Sequence, residues 1–310
     1  MDESLLREFT KETGIKVVVD YFSTNEDMYV KVKQGKGEYD VICPSDYMIE
    51  RMISEDLIQA LDYSKFSIPK LDPKFENLDY DPGNKYSVPY FWGTLGIIYN
   101  ETEINNPIDS YSDLWNEEYE NKVIMPNNQR DAIAVALKHL GYSMNTFNVD
   151  ELEEAKNALI EQKHLVYAYL GDEARDMILA GNAPIGVVYS GDAYLMNDEN
   201  SNLKYVLPKE GTNIWVDAWV VPKEAKNYEG ALKLIEFLSS PEIAYKNTMF
   251  VYGYSTPFVD AMNLLPEEYK NSTIAYPNDE MLEKCEVFHD TKDVIKEYDR
   301  IWTHVLSSEE

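Results

Sequence analysis

The chain has 310 residues, of which 56 are acidic and 28 are basic, so its formal net charge at pH 7 is −28. This charge argues against nucleic acid or an anionic membrane surface as a partner and favours a cationic ligand. The sequence contains no run of about 18 apolar residues, which is the length that a membrane-spanning helix needs. The only two cysteines, Cys43 and Cys285, have no metal or redox spacing. A chain of this length is long enough to form two domains.

The first elements alternate between helix and strand. Leu5, Leu6 and Phe9 share one helical face, which ends at Gly14, and residues 15–19 form an apolar, β-branched run that predicts a buried strand. The order helix then strand is typical of an α/β domain.

Thr24 and Asn25 are both candidate caps for the next helix, which is predicted to run through Lys33. Residues 39–44 then predict a strand that stops at Pro44, and Ser45 is a candidate N-cap for the following helix. A strand that runs into a capped helix is how open α/β sheets present a ligand-binding edge. Ser45 therefore either caps this helix, contacts a ligand, or does both.

Residues 86–100 form a long aromatic and β-branched segment that contains Gly93 and Gly96. The segment is longer than an ordinary strand, and its glycines would let it bend. Trp92 belongs either to the core or to a pocket beside this bend. A second α/β block follows from residue 121, so we predict two lobes.

Residues 214–222 form the most strand-like run in the chain, and it carries an acid in an apolar setting. Alternation places Trp215, Asp217 and Trp219 on one face. A carboxylate beside indole rings is costly to bury alone, and an organic cation is its natural partner. The alternative is an edge strand whose Asp217 faces water.

Five motifs occur in a distinctive order: YDVICPSDY at 39–47, YSVPYFWG at 86–93, IWVD at 214–217, AKNYEGAL at 225–232 and GYSTP at 253–257. This order resembles that of the spermidine/putrescine-binding proteins of bacterial polyamine ABC importers. The resemblance covers essentially the whole chain. It implies a two-lobed, type II periplasmic-binding-protein-like fold, in which each lobe is a mixed sheet flanked by helices and strands that cross between the lobes act as hinges.

The resemblance also implies lobe boundaries, partners and a location. One lobe would comprise residues 1–95 plus 217–260, and the other residues 96–216 plus 261–310. The protein would be a monomeric receptor that binds a polyamine in the cleft between the lobes and delivers it to an ABC permease. It would act outside the cytoplasm, either in the periplasm or as a cell-surface lipoprotein, and would need no cofactor.

Site residues carry over from the family position by position. The positions that match ligand contacts are Ser45, Tyr47, Asn128, Asp131, Tyr189, Trp215, Asp217, Tyr254 and Phe288, with Trp92 as a further candidate. Asn128 replaces one of two family acids, Tyr189 stands where a tryptophan is usual, and Phe288 stands where a polar contact is usual. These departures lower the charge of the site and leave the choice between a diamine and a triamine open.

The beginning of the chain departs from the family as well. Members begin with a strand that carries pocket residues, whereas this sequence enters at the following helix. We hypothesise that Met1 is an internal methionine of a longer chain.

Other functions have less support in the sequence. The four histidines, His139, His164, His289 and His304, are isolated, and neither a zinc-protease, a nucleophile-elbow nor a P-loop motif occurs. An enzyme and an ATPase subunit are therefore disfavoured, and no metal site is expected. A receptor for a quaternary amine, an amino acid or another small solute remains the alternative.

Overall fold

The computed structural model describes residues 1–35 and 37–308. The chain forms two compact units. The first comprises Met1–Trp92 and Trp215–Asn271, and the second comprises Gly93–Ile214 and the residues from Ser272 onward. The chain thus changes unit after Trp92, Ile214 and Asn271, whereas the sequence prediction placed these changes after residues 95, 216 and 260.

Helices and strands alternate through most of the chain. The α-helices are α1 (Glu3–Thr13), α2 (Asn25–Gln34), α3 (Asp46–Ser54), α4 (Gln129–His139), α5 (Val149–Gln162), α6 (Glu173–Leu179), α7 (Ser190–Glu199), α8 (Tyr228–Ser239), α9 (Pro241–Val251), α10 (Val259–Leu264), α11 (Glu267–Lys270), α12 (Asp279–Leu282) and α13 (Ile295–Ser307). The strands are β1 (Ile58–Gln59), β2 (Ser87–Asn100), β3 (Val123–Pro126), β4 (Val166–Leu170), β5 (Ile185–Tyr189), β6 (Leu203–Val206) and β7 (Ile214–Pro222). None of the described helices is long and apolar enough to cross a membrane.

The core of the first unit is built from the apolar faces of its helices and the inner side of β7. Leu5 and Leu6 of α1 share a buried cluster with Ile235 and Leu238 of α8 and with Val221 of β7. Leu5 and Leu6 are adjacent and Ile235 and Leu238 are three positions apart, so each pair lies on one side of its helix. The predicted caps hold here, since Thr24 accepts a hydrogen bond from the backbone of Asp27 and Gly14 adopts a left-handed conformation at φ 75°.

Strand β7 organises the backbone of the first unit. Its C-terminal end pairs antiparallel with β1, where Ile58 lies opposite Pro222. Ile42 exchanges two backbone hydrogen bonds of 3.0 Å with Val220, and Ser45 forms an isolated bridge with Asp217. The side chains of alternate residues, Val216, Ala218 and Val220, are fully buried.

Two predicted strands of the first unit are wrong. Residues 39–44 meet β7 only through the bridge at Ile42 and the Pro44 carbonyl, which accepts from the Ala218 N–H over 3.0 Å. No ladder forms, because Pro44 has no N–H to donate and the N–H of Ser45 bonds to the side chain of Asn25. Residues 15–19 form no strand and are largely exposed, with Val18 at 83%. Their β-branched side chains favour a strand, but in the described part of the chain no backbone pairs with them to form a ladder.

The second unit contains a mixed sheet. From Leu95 onward β2 runs antiparallel to β5 and β6, whereas β3 is parallel to β4 and β5. Gly96 has a packing role in β2, because a Cβ atom there would lie 2.5 Å from the ring of Tyr205. Helices α4, α5 and α13 pack against one another, and α6 and α7 cover buried residues of β2, β3 and β5. This is the mixed α/β architecture that the sequence predicts.

Candidate functional site

The first unit places a serine hydroxyl on the central acid of β7. Ser45 occupies the N-cap position of α3, but its side chain does not bond to that helix. Instead, the Ser45 Oγ donates a hydrogen bond of 2.7 Å to Asp217 Oδ1. The isolated bridge between the two backbones brings these side chains together.

Asn25 orients this serine from the first residue of α2. Its Nδ2 donates to the Ser45 Oγ over 3.1 Å, and its Oδ1 accepts from the Ser45 N–H over 3.1 Å. Because the Ser45 hydroxyl accepts from Asn25, its proton is available for Asp217. Asn25 is therefore a supporting residue that the sequence analysis missed, and nothing in its local pattern distinguishes it from an ordinary first-turn asparagine.

The Asp217 carboxyl is half-buried and, among residues 1–35 and 37–308, has no cationic partner. Burial raises the pKa of Asp217 from 3.8 to about 6, and the hydrogen bond from Ser45 opposes this rise. In the described residues Asp217 forms no salt bridge with a lysine, arginine or histidine. An acid in this state gains free energy when an external cation reaches it.

Aromatic rings flank the acid on β7. Trp215 and Tyr254 are half-buried, and their rings meet edge to face with centroids 5.1 Å apart. Tyr254 also lies 6.3 Å from the ring of Phe91. Phe91 is buried, whereas Trp215 and Tyr254 offer both π-faces for a cation and apolar surface for a methylene chain.

Asp46 links α3 to β7 and is another residue that the sequence analysis missed. Its buried carboxylate accepts from the backbone N–H of Val216 over 2.9 Å and of Tyr47 over 2.7 Å. Tyr47 directs its hydroxyl to Glu26 over 3.1 Å. An acid in the first turn of a helix is too common a signal to predict a tie to a strand 170 residues away.

Trp92 lies in the core of the first unit. Its side chain is 1% exposed and its ring packs against Phe75, with centroids 4.8 Å apart. The Lys74 Nζ lies 5.4 Å from the centroid of the indole. The backbone of Trp92 pairs with that of Ser255 through two hydrogen bonds of 3.0 and 3.2 Å.

The second unit brings Asp131 and Tyr189 together. Asp131 lies in the first turn of α4, and Tyr189 is the last residue of β5. The Tyr189 hydroxyl donates a hydrogen bond to Asp131 Oδ2. Burial raises the pKa of Asp131 to about 6, while the hydroxyl of Tyr189 and the charge of Arg130 lower it.

The other predicted positions of the second unit surround α4. Asn128 is exposed and caps α4, since its Oδ1 accepts from the Arg130 N–H over 2.8 Å. Phe288 is buried and stacks under the guanidinium of Arg130, whose Cζ lies 4.5 Å from the ring centroid. Asn128 therefore acts locally as a helix cap, and Phe288 is held by a cation of the protein.

Asp217 in the first unit and Asp131 in the second thus each accept from a hydroxyl and form no salt bridge within the described part of the chain. Such a carboxyl suits an ammonium group, and the rings near Asp217 suit the methylenes beside it. No group of three or more histidine, cysteine or acidic side chains in residues 1–35 and 37–308 could hold a metal ion.

The fold and the site define a class of protein that binds a small solute. Residues 4–278 match the family model of bacterial extracellular solute-binding proteins, and the chain belongs to this family. It is 39% identical, over 96% of its length and 86% of the relative's, to the spermidine/putrescine-binding periplasmic protein of Salmonella typhimurium.

Solved structures agree with this assignment. The spermidine/putrescine ABC transporter substrate-binding protein of Streptococcus pneumoniae is 41% identical, with a TM-score of 0.87 over 99% of this chain and 95% of that one. A putative spermidine/putrescine ABC transporter protein of Listeria monocytogenes is 39% identical, with a TM-score of 0.91 over 99% and 96% of the two chains. The chain therefore has the periplasmic-binding-protein-like fold that the motifs predicted.

Proposed function

We propose that this protein is an extracytoplasmic receptor for a polyamine, spermidine or putrescine, and that it delivers the polyamine to an ABC permease. The observation that carries the proposal is the half-buried Asp217 carboxyl, which accepts from Ser45, follows Trp215 on the same strand face and has no cationic partner in the residues that the structure describes. The relatives named for spermidine and putrescine support the choice of ligand.

The energetics of the first unit favour an alkylammonium. An ammonium at Asp217 gains a charge-assisted hydrogen bond, and each cation–π contact adds about 0.5–2 kcal/mol. A micromolar dissociation constant needs about 8 kcal/mol in total. Several such contacts must therefore act together, and Trp215 and Tyr254 supply aromatic surface beside the acid.

The second unit contributes one acid in this proposal. Asp131 receives an ammonium with the help of the Tyr189 hydroxyl, whereas the neighbouring Asn128 is a neutral cap. Asp131 and Asp217 give two carboxylates for a ligand with at least two ammonium groups, which both putrescine and spermidine possess. We propose that Phe288 and Tyr47 contact the ligand as well.

We further propose that the protein acts as a monomer, either in the periplasm or as a lipoprotein at the cell surface. Light scattering after size-exclusion chromatography checks the first point, because one chain has a mass of 35.8 kDa. A mass of twice this value at micromolar concentration would contradict it.

Isothermal titration tests the ligand. The protein is titrated with putrescine, spermidine, spermine and glycine betaine at pH 7.5. We expect micromolar or tighter binding of at least one polyamine, and about tenfold weaker binding by Asp217→Asn, or about 1.4 kcal/mol. Asp260→Asn, an exposed acid of the same unit, is the control and should bind normally. A folded protein that binds betaine and none of the amines contradicts the proposal.

A further inference from the structure

In the second unit, the side chain of Asn145 forms hydrogen bonds with the backbone of the residues before and after Phe288. Its Nδ2 donates to the carbonyl of Val287 over 2.9 Å, and its Oδ1 accepts from the N–H of His289 over 2.9 Å. The side-chain amide thus pairs with the backbone as a neighbouring peptide would. Phe288 lies between these two anchored residues, so its backbone is held from both sides.

The same amide oxygen also orients the cation that covers Phe288. The Arg130 Nη2 donates to Asn145 Oδ1 over 2.9 Å and to the carbonyl of His289 over 3.1 Å. The guanidinium carbon lies 4.5 Å from the ring centroid of Phe288 and 5.1 Å from that of Tyr298. Arg130 is therefore held between two rings by bonds that depend on Asn145.

Residue Glu286 extends this attachment along the chain. Its carboxylate accepts from the Ser143 hydroxyl, from Asn145 Nδ2 over 3.4 Å, and forms a salt bridge with Lys138 of α4. Residues 286–289 are consequently tied to α4 and to the turn after it. Asn145 bonds to three of these four residues.

We propose that Asn145 is a positioning residue of the binding site, which acts by holding Phe288 and by fixing the guanidinium of Arg130, whose charge acts on Asp131. This inference rests on the proposed function, since it concerns the same ligand. The charge of Arg130 lowers the pKa of Asp131, so a guanidinium that is free to move would change the electrostatic environment of the acid. Asn145 contacts no ligand in this proposal.

Calorimetric titration of a double-mutant cycle tests the inference. Asn145→Ala, Phe288→Leu and the double variant are titrated with putrescine and spermidine. We expect Asn145→Ala to weaken polyamine binding about tenfold, and to have little further effect once Phe288 is replaced, because the two residues act together. Asn197→Ala is the matched control, because the Asn197 side chain also donates to a backbone carbonyl of this unit, that of Leu203, over 2.7 Å. This variant should bind polyamine with normal affinity.

Thermal unfolding of each variant separates positioning from stability. If Asn145→Ala does not fold, Asn145→Ser replaces it, because the shorter side chain also removes the amide that bonds to Val287, His289 and Arg130. Normal affinity of a folded Asn145 variant, or strictly additive effects in the cycle, would overturn the positioning role and leave the proposed function intact. A wild-type protein that binds no polyamine would instead overturn both.

Discussion

The Ser45 Oγ lies 2.7 Å from Asp217 Oδ1, although Ser45 occupies a helix N-cap where a serine usually bonds to its own helix. The Ser45 hydroxyl therefore bonds to a side chain of β7 and not to the backbone of α3. Because Asn25 donates to the same oxygen, the serine proton is directed to the acid. Ser45 thus connects a local helix start to the candidate ligand carboxylate.

Replacement of Ser45 by alanine should therefore affect binding more than stability. Without the hydroxyl the pKa of Asp217 rises further, so less of the acid is ionised at pH 7, and we expect roughly three- to tenfold weaker polyamine binding. Calorimetry at pH 7 measures this change.

A true N-cap is the control for this variant. Asn227 caps α8 through the N–H of Gly230, so Asn227→Ala should cost about 1 kcal/mol of stability and leave binding unchanged. If Ser45→Ala is destabilised as much as Asn227→Ala and binds polyamine normally, Ser45 is only a structural residue.

Polyamine affinity should increase with pH between about 5 and 7. The pKa values of both Asp131 and Asp217 are raised to about 6, so at pH 5 each acid is mostly protonated in the free protein. Binding of an ammonium then requires release of these protons. One pH unit below the pKa costs roughly tenfold in affinity for each acid.

Titrations at pH 5.0, 6.0, 7.0 and 8.0 check this dependence, with putrescine because its amines stay protonated throughout. Affinity should rise steeply to about pH 6.5 and then level off. In Asp217→Asn the slope should be smaller, because one titrating group is gone. A flat profile in the wild type would show that neither acid changes its protonation on binding.

Asp131→Asn should make the unliganded protein more stable at pH 8. The pKa of Asp131 is raised from 3.8 to about 6 on folding, so the folded state favours the protonated acid and its contribution to stability is lost as pH rises from about 4 to about 6. Above pH 6 the ionised acid costs on the order of 1–3 kcal/mol, at about 1.4 kcal/mol for each pKa unit.

The asparagine still accepts from Tyr189 and carries no charge to bury. Denaturant unfolding of the ligand-free variant and of the wild type at pH 4.5 and pH 8 measures the difference, which should be clearly smaller at the lower pH. The same variant should bind polyamine at least tenfold more weakly at pH 8. Lower stability than the wild type at pH 8 would contradict the assignment of a buried, uncompensated carboxyl.

The sequence by itself determined the elements whose signals are local. The apolar spacing of α1, the cap at Thr24 and the alternation along β7 each depend on residues within a few positions, and the structure contains all three. The alternation also placed Trp215 and Asp217 on the same face. The order of the motifs was enough to predict the family and the mixed α/β architecture.

Only the tertiary structure decided which groups those elements bring together. Ser45 reaches Asp217 across 172 positions, Tyr189 reaches Asp131 across 58, and Asn145 reaches His289 across 144. It also left residues 15–19 without a strand partner, despite their β-branched side chains. Local periodicity reports which face a side chain takes, but hydrogen bonds between distant segments depend on how whole elements pack, and this packing leaves no signal within one short stretch of sequence.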